Sequence, residues 1–154
     1  MTNKALLLLP SSAVKRLLPL LRRAQEQSQS LFNPSGLISG DTNPANWGLR
    51  RDETLVLYDW ERFGFGKPAL DLAITIPWLG NQPTFELVAR TYLQEGSARA
   101  IQALSQEIAS AKVWTVVEFM AEYADGAAQI NKGHIEHLVQ ELPSWLADEV
   151  GNIL

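Results

Sequence analysis

A mainly α-helical domain carrying one small β-hairpin is what this sequence predicts, and three features predict it. Apolar residues recur every three to four positions through most of the chain, the period of one helix face. Prolines and glycines punctuate those runs where helices begin and stop. Two short strand-like runs, 47–50 and 55–58, flank the turn Arg51-Asp52-Glu53-Thr54 before the middle of the chain.

Ser11 or Ser12 is the expected N-cap of a helix running towards Ser30, with Val14, Leu17, Leu18, Leu21 and Ala24 on one stripe. Pro19 lies inside it, so the helix either kinks there or restarts with Pro19 in its first turn. Asn33-Pro34-Ser35-Gly36 is a break, and Leu37-Ile38 reads as a short buried strand or an extended entry to the next loop. The hairpin follows; its turn lacks glycine, which leaves the turn type open. Phe63-Gly64-Phe65-Gly66 reads as a loop. Pro68 suits the first position of a helix whose core stripe is Leu70, Ala73 and Ile74, ended by Pro77 and Gly80. Pro83 opens another helix, to about Gln94, stopped by Gly96. Ser97 caps a long helix to about Tyr123, with Ile101, Leu104, Ile108, Ala111, Val116, Phe119 and Met120 on its apolar side, ended by Asp125-Gly126. A last helical segment covers roughly 133–150, with Pro143 as a break or a fresh first turn.

At 154 residues the chain suits one domain that buries roughly 68–70% of its unfolded surface. With 46% apolar and 19% charged residues, the composition is that of a globular domain. A net charge of −4 supplies no basic field for nucleic acid or anionic lipid. The chain has no cysteine, which excludes disulfides and thiolate metal sites and fits a cytoplasmic protein. The apolar run at 5–9 behind Lys4 is shorter than the core of a secretory leader, and Lys15, Arg16, Arg22 and Arg23 follow on a helical pattern. No stretch approaches the ~20 apolar residues of a membrane span.

The polar residues that carry chemistry lie between 39 and 73. A carboxylate that takes a proton from a hydroxyl must sit on an open loop beside metal-bound phosphates, and Asp41 follows Gly40 on such a loop. Asn46, five residues on, can turn an amide oxygen towards magnesium, a hard cation that prefers oxygen. Asp59 ends the apolar strand 55–58, where the hairpin brings it back beside the first loop with a second carboxylate for a metal. Each is also ordinary turn chemistry when taken alone. Glu61 can join the outer shell of a metal or stand solvated.

Together these blocks resemble the catalytic core of the aminoglycoside phosphotransferase and choline-kinase-like family. Its pattern is His-Gly-Asp-x-x-x-x-Asn, then Ile-Asp-Trp-Glu, then Asp-Pro-Ala-x-Asp-Leu-Ala. This chain has Gly40-Asp41, Pro44, Asn46, then Asp59-Trp60-Glu61, then Pro68-Ala69-Leu70-Asp71-Leu72-Ala73. The resemblance implies Asp41 as catalytic base, Asn46 and Asp59 as ligands of Mg2+, and Asp71 as a structural acid tying a helix start to the catalytic loop. Asp71 also reads as a first-turn acid favoured by the helix dipole. The chain departs from the pattern at three places: Ser39 and Asn43 stand where the family has His, and Lys67 where it has Asp before Pro. Ser39 is thereby a shorter brace for the loop.

Kinases of this shape cover ATP with a β lobe whose lysine pairs with the phosphates. Here the residues before Ser39 read as helix, and Lys4 and Lys15 follow no glycine-rich turn. The fold implied is a protein-kinase-like C-terminal lobe lacking the N-terminal β lobe: a helical lead-in at 1–36 and the lobe at 37–154, one domain overall. Within the lobe, the catalytic loop is 39–46, the metal-binding segment 59–61 and the helices 68–154. The function implied is transfer of the ATP γ-phosphate to a small hydroxyl acceptor by a truncated chain. The alternatives are a non-catalytic interaction module or one half of a split phosphotransferase, with a partner chain or a second copy covering the exposed lobe face.

Other candidates read as structural. His134 and His137, three apart on a helix, form a solvated pair more readily than a metal site. Trp47, Trp60, Trp78, Trp114 and Trp145 read as core anchors, and Arg50-Arg51 as a charged hairpin tip. Glu107, Glu118, Glu122 and Asp125 suit either a cationic acceptor or a solvated helix face.

Overall fold

The computed structural model describes residues 2–126 and 132–150. Its order is α1 (Thr2–Leu6), α2 (Ser11–Gln27), β1 (Gly36–Ile38), β2 (Trp47–Leu49), β3 (Leu55–Leu57), β4 (Gly64–Gly66), α3 (Pro68–Thr75), α4 (Gln82–Leu93), α5 (Ala98–Ala124) and α6 (Lys132–Trp145).

Helix α5 is the spine. Its 27 residues extend about 40 Å at 1.5 Å per residue, and α1, α2, α3 and α4 all pack on it. Small buried residues, Ser105, Ala109, Ser110 and Ala111, let the neighbours approach closely. The Ser97 hydroxyl accepts from the Ala100 amide at 3.2 Å and caps the helix as expected. Leu17, Leu31 and Phe85 are fully buried around it, as are Ile108 and Met120 on α5 itself. Ala5 and Leu9, in the apolar run near the start of the chain, belong to the same core.

Several elements differ from expectation. No serine caps α2: Pro10 holds the N-cap position, and its carbonyl accepts from Ala13 and Val14. Pro19 sits within α2 without ending it; it is exposed, and without an N–H it forfeits the bond to the Lys15 carbonyl. In α3 the buried residues are Ala69 and Ala73, with Leu70 and Ile74 half-buried. Proline leads α3 as expected, and the Asn81 side chain caps α4 by accepting from the Thr84 amide at 3.1 Å. Pro143 lies inside α6, close to its end, and the chain widens into a π-helical turn at Leu146–Val150.

The β structure is two ribbons rather than one hairpin. The expected hairpin forms, with Trp47 opposite Leu57 and Leu49 opposite Leu55. The Phe-Gly-Phe-Gly segment, expected as a loop, is β4 and pairs antiparallel with β1, Leu37 opposite Phe65. Gly66 stands opposite Gly36 in the pair, where a Cβ would press on the end of the Ile38 side chain. Leu37-Ile38, expected as a short buried strand or an extended entry, is a strand, but Leu37 is 60% exposed. The tryptophans are likewise not uniform anchors. Trp145 is buried and donates to the Gly80 carbonyl at 2.8 Å, whereas Trp60 is half-exposed on a turn.

Candidate active site

The loop at 39–46 is built around one carboxylate from another element. Asp71, in the first turn of α3, accepts from the Ser39 amide through Oδ2 at 2.8 Å and from the Gly40 amide through Oδ1 at 2.9 Å. Its own carbonyl accepts from the Thr42 hydroxyl. The loop is therefore fastened to α3 on both sides of Asp41. The Ser39 hydroxyl donates to Asp71 Oδ1 at 3.4 Å and accepts from the Asp41 amide at 3.3 Å. A serine thus reaches both partners despite its short side chain.

Beyond Asp41 the backbone turns tightly. Asp41 Oδ1 accepts from the Asn43 amide at 3.2 Å, and Asn43 Oδ1 accepts from Ala45 at 3.1 Å. These are Asx turns that a single helical turn, Pro44–Asn46, continues. Asn46 Nδ2 donates back to the Asp41 carbonyl at 3.2 Å, which leaves its amide oxygen facing away from that bond. The Tyr58 amide donates to the Asn46 carbonyl at 2.7 Å, so the hairpin returns the chain beside Asn46 one residue before Asp59.

Asp59 is exposed, with a left-handed backbone at φ 59°. Aspartate tolerates that region better than most residues. The structure joins Ser39, Asp41, Asn46 and Asp71 by hydrogen bonds, whereas Asp59 comes alongside through backbone alone. Among the described residues, no three His, Cys, Asp or Glu side chains form a metal-binding group.

Gly40 is required by its surroundings. Its φ is +79°, and a Cβ there would meet the Arg62 carbonyl oxygen at 2.5 Å. The segment after Asp59 is thereby packed onto the loop that carries Asp41.

A cavity of about 410 Å³ opens beside Asp41. Asn43, Arg62, Trp78, Phe119, Glu118 and Glu122 are among the residues around it. Trp78 has φ 56°, unusual for a bulky side chain, and α6 holds its ring. Trp78 Nε1 donates to Glu141 at 2.6 Å, and the ring stacks on His137 at 5.2 Å between centroids. His134 and His137 are thus an aromatic contact for Trp78, and His137 also pairs with Glu141 at 3.1 Å.

Sequence reasoning missed Lys112. It is buried, and its Nζ donates to the Ala73 and Ile76 carbonyls at 3.1 and 2.7 Å, where α3 ends. Burial lowers its pKa from 10.5 to about 8. A lysine within a helix reads as solvated from sequence, and nothing local signals its docking. Arg62 was also missed, although the Glu118–Glu122 spacing hints at a facing cation. Of the acids weighed for a cationic acceptor, Glu107 pairs with Lys67 at 3.1 Å and Asp125 with Lys4. Only Glu118 and Glu122 line the cavity.

These elements, a braced Gly-Asp loop, a hairpin returning an Asp, and an acid-headed helix behind both, define a kinase-like phosphotransferase scaffold. The chain matches the model of the phosphotransferase enzyme family over residues 3–114 and belongs to that family. The match begins in α1 and ends in α5, well beyond the motif residues. No curated protein and no solved structure matches the chain.

Proposed function

We propose that the chain supplies the base and metal-holding half of a small-molecule kinase that transfers the ATP γ-phosphate to a hydroxyl acceptor. The observation that carries this reading is the Asp71 carboxylate on the two amides preceding Asp41. It holds the loop so that Asp41 lies on a cavity wide enough for a small acceptor. Asp41 is the base: it orients the acceptor hydroxyl and takes its proton as the oxygen attacks.

Asn46 and Asp59 are the groups to hold Mg2+. The Asn46 amide nitrogen is committed to the Asp41 carbonyl, leaving its oxygen, and Asp59 offers an exposed carboxylate. Two protein oxygens with phosphates and waters suit magnesium, which rarely uses an all-protein cage. When bound, the ion neutralises charge on the transferring phosphates. Asp71 and Ser39 are supports, acting through the loop rather than on substrate.

An assay of ATP consumption over a panel of small alcohols tests the role of Asp41. Asp41→Asn is expected to lose about 10²–10⁴ of the turnover while binding of Mg-ATP persists. An undiminished rate in that variant overturns the assignment.

One observation favours a second reading, a module that works against a partner chain. Leu49, Leu55, Tyr58, Trp60, Phe63 and Phe65 are all more than half exposed and lie on or beside the two ribbons. A concentration of large apolar groups of this kind marks interaction surfaces.

A further inference from the structure

Lys112 is 6% exposed, and only neutral oxygens hold its ammonium. Nζ donates to the Ala73 carbonyl at 3.1 Å and to the Ile76 carbonyl at 2.7 Å, which takes up two of its three N–H groups. Among the described residues, no carboxylate pairs with it. Carbonyls at the end of a helix favour a cation. Burial nonetheless lowers the pKa of Lys112 to about 8, so these carbonyls do not replace its lost hydration. The group still carries its proton at neutral pH. A buried charge without a counter-charge calls for an anion.

The space beside it is the cavity that holds Asp41. Lys112 and Ile76 line that cavity together with Thr115, Trp78 and Arg62. The Arg62 guanidinium is already committed: Nη1 is 3.6 Å from Glu118 Oε1, and Nη2 is 3.4 Å from Glu122 Oε1. Its side chain is 53% exposed, so water screens it. Lys112 brings to the same wall a charge that is desolvated and unneutralised, the setting in which a charged hydrogen bond is strongest.

We propose that Lys112 is the anion site of the acceptor cavity, and that the acceptor is a small hydroxy acid whose carboxylate takes the third N–H of Lys112 while its hydroxyl faces Asp41. The inference rests on the reading of this cavity as the acceptor site. The carboxylate supplies the missing counter-charge, and Lys112 keeps both carbonyl bonds. A neutral alcohol of the same length gains nothing there.

The test uses the whole chain without nucleotide, its lysines isotope-labelled at Cε for NMR. Two probes of equal length are compared: γ-hydroxybutyrate, and the butanediol with a hydroxyl at each end. Lys112 is assigned by the signal lost in Lys112→Gln, a neutral side chain that still carries two N–H donors for the carbonyls. The hydroxy acid is expected to move the Lys112 signal saturably and more than any other lysine signal, whereas the diol leaves it in place. Calorimetry is expected to show the hydroxy acid bound at least about tenfold more weakly by Lys112→Gln, the scale of one hydrogen bond to a charged group. Should that variant fail to fold, Lys112→Arg assigns the signal and the native chain's response to acid against diol decides.

A Lys112 signal that stays in place with the hydroxy acid overturns the proposal. So does an equal shift with the diol, or with sodium chloride at the same ionic strength. Unchanged affinity in Lys112→Gln also overturns it and puts the carboxylate on Arg62. No readout involves ATP, so failure here is distinguishable from failure of Asp41 as a base, which would leave hydroxy-acid binding intact.

Discussion

Asp71 accepts from two consecutive backbone amides, and one of them belongs to Ser39, which is buried. Substituting asparagine keeps one oxygen but turns an NH2 group towards a second amide donor. A buried donor left without an acceptor costs about 1–3 kcal/mol. Asp71→Asn is therefore expected to lose about that much stability in urea unfolding, with faster hydrogen exchange at the Gly40 amide than elsewhere in the domain. Unaltered exchange at Gly40 would show that the loop is held by other contacts. Gly40 and Asp41 were legible in the sequence as a turn, because Gly-Asp followed by Asn-Pro is turn chemistry. The direction of Asp71 was legible only through family resemblance, since a first-turn acid satisfies the helix dipole equally well.

At the scale of elements, α3 depends on a lysine from α5. Lys112 donates to the Ala73 and Ile76 carbonyls at the end of α3 and fixes the chain where it turns towards Trp78. Its pKa is lowered from 10.5 to about 8 by burial, so between those values the unfolded chain holds more proton than the folded one. Stability from this group therefore rises with pH across that window, and is lowest below about pH 8, where both states are charged. Relative to Lys112→Met, the native chain is expected to gain up to about 3 kcal/mol between pH 7.5 and 10.5. Denaturant melts of both proteins across that range measure it, and parallel pH profiles would refute it. The helices were readable because prolines and caps mark their ends: Pro68 leads α3, and Ser97 caps α5. Strand β4 was not, because three residues with two glycines carry no usable period, and its partner β1 lies far back in the chain. Lys112 was hidden for a related reason: its burial is decided by how α3 docks, not by its neighbours in sequence.

For the whole molecule, one core runs from Ala5 in α1 to Leu146 beyond α6, while the two ribbons stand on its edge with their large apolar groups outward. That asymmetry explains why tryptophan count misled: Trp47 lies on a ribbon and Trp60 beside one, 37% and 53% exposed. The second reading of function makes a prediction at this scale. A hydrophobic dye is expected to bind the folded chain, and Phe65→Ser with Leu49→Ser to reduce that binding without loss of helicity. A clean monomer that binds no dye would remove the physical motive for a partner surface. Among the described residues no helix is long and apolar enough to cross a membrane.

In the proposed function, Asp59 and Asn46 hold magnesium against ATP phosphates. Titration calorimetry of Mg-ATP into the native chain and into Asp59→Ala measures it directly. The expected result is magnesium-dependent binding by the native chain, weakened at least about tenfold by loss of the carboxylate. Equal binding by both proteins, or binding that persists without magnesium, would contradict it.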